Sequence, residues 1–159
     1  KAIYKLGMDS ISSDTVCYPA KLVHGHIKTL VEMGEKWIFY PCINYEYSED
    51  SDSPNHYNCP IVATFPEVIA NNMHEIFEDN DVVFSHPFLP YDRDDRLIDR
   101  LTNFLREKGV SRREVINAVR LGRKEQTRFK EDIITEGKKY LKYAKYYFCK
   151  KCKKINKIL

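Results

Sequence analysis

Glycine is scarce in this chain of 159 residues: there are six, each standing singly. A cradle for nucleotide phosphates needs glycines close together, so that successive backbone N–H groups can turn toward the anion. No such loop is present, which excludes an ATP site of that kind. Long apolar runs are also missing, and none approaches the length that spans a bilayer, so no membrane association is expected. The beginning lacks the basic-then-apolar pattern of a secretory signal. It starts at Lys1, not at a methionine, so the expectation is a fragment or processed piece of a longer protein.

Acid is missing from the last stretch: Lys138 to Leu159 holds nine lysines and no Asp or Glu. The net charge of +3 therefore hides a body of about −6 and a strongly basic tail. Such a tail can meet an anionic surface. With no recognition motif beside it, nucleic-acid binding is not expected.

Five cysteines are present, an odd number that does not suit a pure disulfide framework. A chain of this size does not need staples. A reducing, cytoplasmic setting is expected, in which cysteines read as metal or redox sites.

The pattern of elements is α/β: a partial parallel sheet flanked by helices, with a long C-terminal helix. Ala2 to Met8 reads as a helix end or an extended lead-in. Asp14 or Thr15 can cap a helix that has Pro19 in its first turn and runs to about Met33, ending at Gly34. Leu22, Val23, Ile27, Leu30 and Val31 share its apolar face, with His26 at the edge of that face and His24 off it. Trp37 to Tyr40 and Val82 to Phe84 read as two buried strands. Between them lie a long polar loop, Cys42 to Pro60, and a helix opened by Pro66. A further helix starts at Asp92, carries Leu97, Ile98, Leu101 and Leu105, and stops at Gly109. Ser111 with Glu114 is a capping box that opens the long helix, whose stripe of Val115, Val119, Phe129, Ile133 and Tyr140 needs a surface to lie against. Two regions result: a cysteine-bearing α/β domain over residues 1–110, and the long helix with its basic tail over 111–159. Few strands for such a sheet suggests that others belong to the parent protein.

Cys17, Cys42 and Cys59 carry the chemistry. Each has a proline close by (Pro19, Pro41, Pro60), which stiffens the backbone where a thiolate must be aimed. Cys17 and Cys59 stand just ahead of helix starts, where the helix dipole favours a thiolate. Cys42 follows a strand end, where open α/β sheets hold ligands. Three thiolates suit a four-iron cluster with one iron left open. The spacing is not a short CxxC ladder, so two other readings stay open at this point: small buried hydrophobes, or zinc with His24, His26 or Glu46 as the fourth ligand. His56 lies near Cys59 in the loop, and Glu46 is the candidate for a general base. Cys149 and Cys152 form a lone CxxC, half of a zinc ribbon whose second half is missing.

Asp14-Thr-Val-Cys17-Tyr-Pro-Ala-Lys-Leu-Val-His-Gly-His26, then Ile38-Phe-Tyr-Pro-Cys42, then Tyr57-Asn-Cys59-Pro60, then Pro66-Glu-Val-Ile69 follow in order. This series resembles the uncharacterised domain of the large acyl-CoA dehydratase activase-related proteins of anaerobic bacteria, known as CoA-substrate-specific enzyme activases. The resemblance extends to the superfamily of 2-hydroxyglutaryl-CoA dehydratases and benzoyl-CoA reductases. It implies an iron–sulfur cluster, [4Fe-4S] or double-cubane, held by Cys17, Cys42 and Cys59. It implies low-potential electron transfer, powered by ATP-dependent activator domains in the same or a partner chain, toward an acyl-CoA thioester. On this expectation the fragment alone is inactive. The other reading is a non-catalytic zinc-binding or protein-interaction module.

Overall fold

The computed structural model describes residues 1–48, 52 and 55–152, with side chains as far as Tyr143. It is a mixed α/β structure, about two-thirds helical. Contacts divide it into two compact units, Lys1–Val110 and Ser111–Leu159. Among the described residues no helix is long and apolar enough to cross a membrane.

The first unit opens with α1 (Ala2–Gly7) and one 3-10 turn, Met8–Ser10. The helix α2 (Tyr18–Glu32) follows. Its N-cap is Cys17, not Asp14 or Thr15, because the chain leaves the extended conformation only after Cys17 (φ −61°, ψ 151°). Its end is the expected glycine stop. Gly34 adopts φ +86°, its N–H bonds the Val31 carbonyl, and the Glu35 N–H bonds the Leu30 carbonyl, which satisfies the last free carbonyls of the helix. Side-chain exposure reverses the histidine expectation: His24 is buried and His26 is exposed.

The reason is α1. Gly7 and Gly25 let the two helices approach so closely that an ideal Cβ on Gly7 would stand 2.2 Å from the Gly25 nitrogen. His24 beside Gly25 is thereby covered. Its Nδ1 lies 2.8 Å from the Ser10 Oγ, and the Ser10 hydroxyl donates to the Gly7 carbonyl at 3.0 Å. With that proton committed, the ring donates from Nδ1.

Two strands, β1 (Trp37–Phe39) and β2 (Val83–Ser85), pair in parallel with Trp37 opposite Val83. Hydrogen bonds carry the pairing on to Cys42, which bridges Phe88. Between the strands run α3 (Pro60–Asn72) and α4 (His74–Asp79). Pro66 does not open the helix but lies inside it; the start is set by Cys59 as N-cap and Pro60 at the first helical position.

The strands are not buried on both faces. Ile38 is 4% exposed and joins a core with Ala20, Ile27, Val31, Phe65, Ile69, Met73 and Phe77, while Trp37 and Phe39 remain about 40% exposed. The core residues of α2, α3 and α4 pack on the Ile38 face. Against the other stand Phe104, 5.5 Å from Phe39, and Lys108, whose ammonium sits 3.9 Å from the centre of the Trp37 ring. These come from α5 (Asp94–Leu105) and the 3-10 turn after it, which Gly109 closes at φ +76°.

The second unit is α6 (Arg112–Cys152). The expected capping box is present. The Ser111 N–H donates to Glu114 Oε2 at 2.8 Å, and the Glu114 N–H donates to the Ser111 Oγ at 3.3 Å. Val115 and Val119 are buried, but Phe129, Ile133 and Tyr140 of the same stripe are exposed. Cys149 and Cys152 lie on this helix, with side chains outside the described residues.

Candidate metal centre

The three cysteines of the first unit are free thiols in two kinds of environment. Cys17 and Cys59 are the N-caps of α2 and α3. Both are exposed, both precede a proline in the first helical turn, and neither spends its side chain on a capping hydrogen bond. Each thiol therefore stands at the positive end of a helix with its donor capacity unused. The segments next to them line one cavity of about 330 Å³, bounded by Ser13, Thr15 and Val16 before α2 and by Ile61, Thr64 and Phe65 in α3.

Cys42 is buried, at the carboxyl end of the parallel pair. Side chains alternate across a strand, so Ile38, Tyr40 and Cys42 share a face with Phe84, His86 and Phe88. That is the core face, and α3 brings Glu67 to it. One ligand atom each from Cys42, Glu67 and His86 lies within 4.8 Å of the other two. His86 Nδ1 stands 3.3 Å from Glu67 Oε1. Among the described residues no other such group of three or more forms, so Cys17 and Cys59 are not part of it. This does not tell against a shared cluster, because thiolates on different irons of a cubane stand further apart than ligands on one ion.

Burial pushes the Cys42 thiol up, and the Glu67 carboxylate adds to the effect; the Glu67 backbone N–H bonding the sulfur opposes both. That N–H follows Pro66 inside α3. Tyr40 is also pushed up, by burial and then by Cys42.

The segment between Cys42 and Cys59 was expected as a structureless loop. Its two ends form a short antiparallel stem instead. Tyr45 bridges Tyr57, the Asn58 N–H donates to the Asn44 carbonyl at 2.8 Å, and the Glu46 N–H donates to the His56 carbonyl at 2.9 Å. The Asn58 amide also donates to the Ile43 carbonyl and to Glu46 Oε1. Ile43 and Asn58, so joined, are the chain neighbours of Cys42 and Cys59. Glu46 and His56 thus hold the stem, with His56 Nδ1 2.7 Å from the Glu46 carbonyl.

Glu67 and His86 were missed as site residues. In the sequence reading Glu67 falls inside the segment Pro66-Glu-Val-Ile69 with no role of its own, and His86 carries no reading at all. Both strands end in a short proline-flanked stretch, and parallel strands present those ends on one edge; that was the available signal for His86.

The fold and the site define a class: a small α/β domain with free thiols at two helix starts and at the carboxyl edge of a parallel strand pair. The chain belongs to the family of the CoA enzyme activase uncharacterised domain, whose model matches residues 1–157. No curated protein matches the chain, and no solved structure does.

Proposed function

We propose that the domain is the cluster-bearing redox part of an activase-related protein, with Cys17, Cys42 and Cys59 as ligands of an iron–sulfur cluster. The observation that carries the reading is the pair of N-cap thiols. Cys17 and Cys59 are exposed and make no capping bond, and the chain beside each lines one cavity. An N-cap position normally goes to Ser, Thr, Asp or Asn, whose side chains bond the first-turn amides. Two cysteines that forgo this bond, each ahead of a proline that holds the helix start rigid, suit ligation better than capping. The bond from Asn58 to Ile43, the chain neighbours of Cys59 and Cys42, supports a shared set of ligands. The donor set fits: three thiols, none in a disulfide, two of them at helix N-termini that favour an anionic group.

When bound, such a cluster would supply one-electron transfer at low potential. The residues of this chain would hold it and shield it: α2 and α3 offer their positive ends, and Phe65 and Val68 give the adjoining cavity an apolar wall. ATP hydrolysis and the acyl-CoA thioester would belong to activator domains and substrate-bearing parts in the same or a partner chain.

Reconstitution of the reduced protein without oxygen should give a brown protein with iron and acid-labile sulfide in similar amounts. Cys17→Ala should abolish it, while leaving the far-ultraviolet circular dichroism unchanged because the residue is exposed. Absence of iron uptake by the folded, reduced wild-type chain would sink the reading.

A further inference from the structure

We propose that Cys42, Glu67 and His86 form a separate site for one divalent transition-metal ion of the zinc type, with a fourth position open to water. It does not rest on the cluster reading. It shares only Cys42 with that reading, so the two occupants exclude each other.

The three donors come from three elements that the fold brings together: the carboxyl ends of both parallel strands, and α3 across the core face. Their ligand atoms lie within 4.8 Å of one another. Two nitrogen or oxygen ligands about 2.0–2.1 Å from a tetrahedral ion stand about 3.3–3.4 Å apart. The His86 Nδ1 to Glu67 Oε1 distance is 3.3 Å. The separation of that pair matches the one such an ion requires.

Sulfur, imidazole and carboxylate together suit zinc, and three protein ligands leave one position free, as in open zinc sites. An ordinary core cysteine lies among apolar groups. Cys42 instead has a carboxylate and an imidazole beside it. Cys42 closes the site from the core side, while the Glu67 side chain, 58% exposed, and the His86 side chain, 30% exposed, leave a path for the ion. The His86 ring has support behind it. Phe84 lies 5.6 Å away and is itself stacked on Phe77 at 4.7 Å, which limits how far the imidazole can turn.

The test is a titration of the reduced, metal-free full chain with Co²⁺, whose visible bands report tetrahedral ligation and whose near-ultraviolet band reports a thiolate ligand. One equivalent should bind with both signals, and added Zn²⁺ should displace it. Cys42→Ser should remove the thiolate band. Glu67→Gln and His86→Ala alter side chains that reach solvent. They should fold as the wild type does by circular dichroism, yet weaken binding by more than the roughly 10–100-fold that loss of a supporting partner costs. Cys17→Ala and Cys59→Ala should bind Co²⁺ unchanged. If those two lose it and His86→Ala keeps it, the ion sits on the cysteine set; this inference falls and the cluster reading stands. Folded wild-type protein that binds no Co²⁺ overturns the inference outright. Failed iron uptake with normal Co²⁺ binding overturns the cluster reading alone.

Discussion

An ideal Cβ built on Gly25 in α2 would lie 1.9 Å from the Ile3 carbonyl oxygen, whereas one on Gly122 or Gly137 in α6 would meet no atom within 4 Å. The same residue type thus reports two different physical situations. Between α1 and α2 the glycines are required by contact: backbone meets backbone, and His24 is sealed beneath. Along α6 they are only a loss, since a helical glycine gives up about 1 kcal/mol relative to alanine. Close packing in the first region holds α1 against the middle of α2, at Gly25 and His24. On α6, by contrast, Phe129, Ile133 and Tyr140 stay exposed. The comparison teaches that helix content alone says little about constraint here.

The largest test of that contrast is Gly25→Ala. Helix propensity favours the alanine by about 1 kcal/mol. Overpacking costs typically about 1–3 kcal/mol, and the obstacle here is backbone, which cannot rotate aside as a side chain can. Overpacking should win, with a net loss of about 2 kcal/mol in urea unfolding. An equal or higher midpoint would mean that α1 does not press on α2. The opposite sign is expected for Gly137→Ala, where propensity acts alone. Helicity should rise, with a gain of about 1 kcal/mol in the local stability of α6 as read by amide exchange. A loss there would show that the position is in contact after all.

The same contrast explains what the sequence made legible. Ile27 and Val31 on the α2 face, the Gly34 stop and the Ser111–Glu114 box are local signals, each decided within one or two turns, and they were readable, whereas Leu30, expected on the same face, is exposed. Pro66 misled because proline usually marks a helix start; only the competing start at Cys59 and Pro60 shows it to be internal. The stem around Tyr45 and Tyr57 has no apolar alternation to betray it, since a tyrosine pair and the Asn58 amide hold it. The strands were expected to be buried on both faces because their sequences are apolar throughout, while the number of helices covering them depends on topology. Cys17, Cys42 and Cys59 were found as candidates from the residues beside them. Glu67 and His86 needed the register of β1 against β2, which pairs Trp37 with a residue 46 positions away. His24 was misplaced because its burial depends on α1, a helix too short to be read with certainty from its pattern.

His24 gives the finest probe of the packed region. Burial lowers its pKa from the usual 6.5, so the folded protein keeps the ring neutral where the unfolded chain would already take a proton. Between those two values the unfolded state binds more protons, and stability rises with pH. The contribution is complete above about pH 6.5 and is lost as pH falls through that value toward the lower folded one. A charged ring would also have to sit beside Phe65, whose ring centre is 5.5 Å away, with the Ser10 hydroxyl as its polar neighbour at 2.8 Å. Urea midpoints measured from about pH 7.5 down to about pH 5.5 should fall for the wild type. His24→Gln should be less stable at the upper end, because a buried partner of Ser10 is disturbed, yet its midpoint should depend less on pH. The two proteins differ at this one residue, so the difference between the two slopes isolates His24. Equal slopes would mean that α1 opens readily enough to let water reach the ring, and the close contact at Gly7 and Gly25 would then be less constraining than its distances imply.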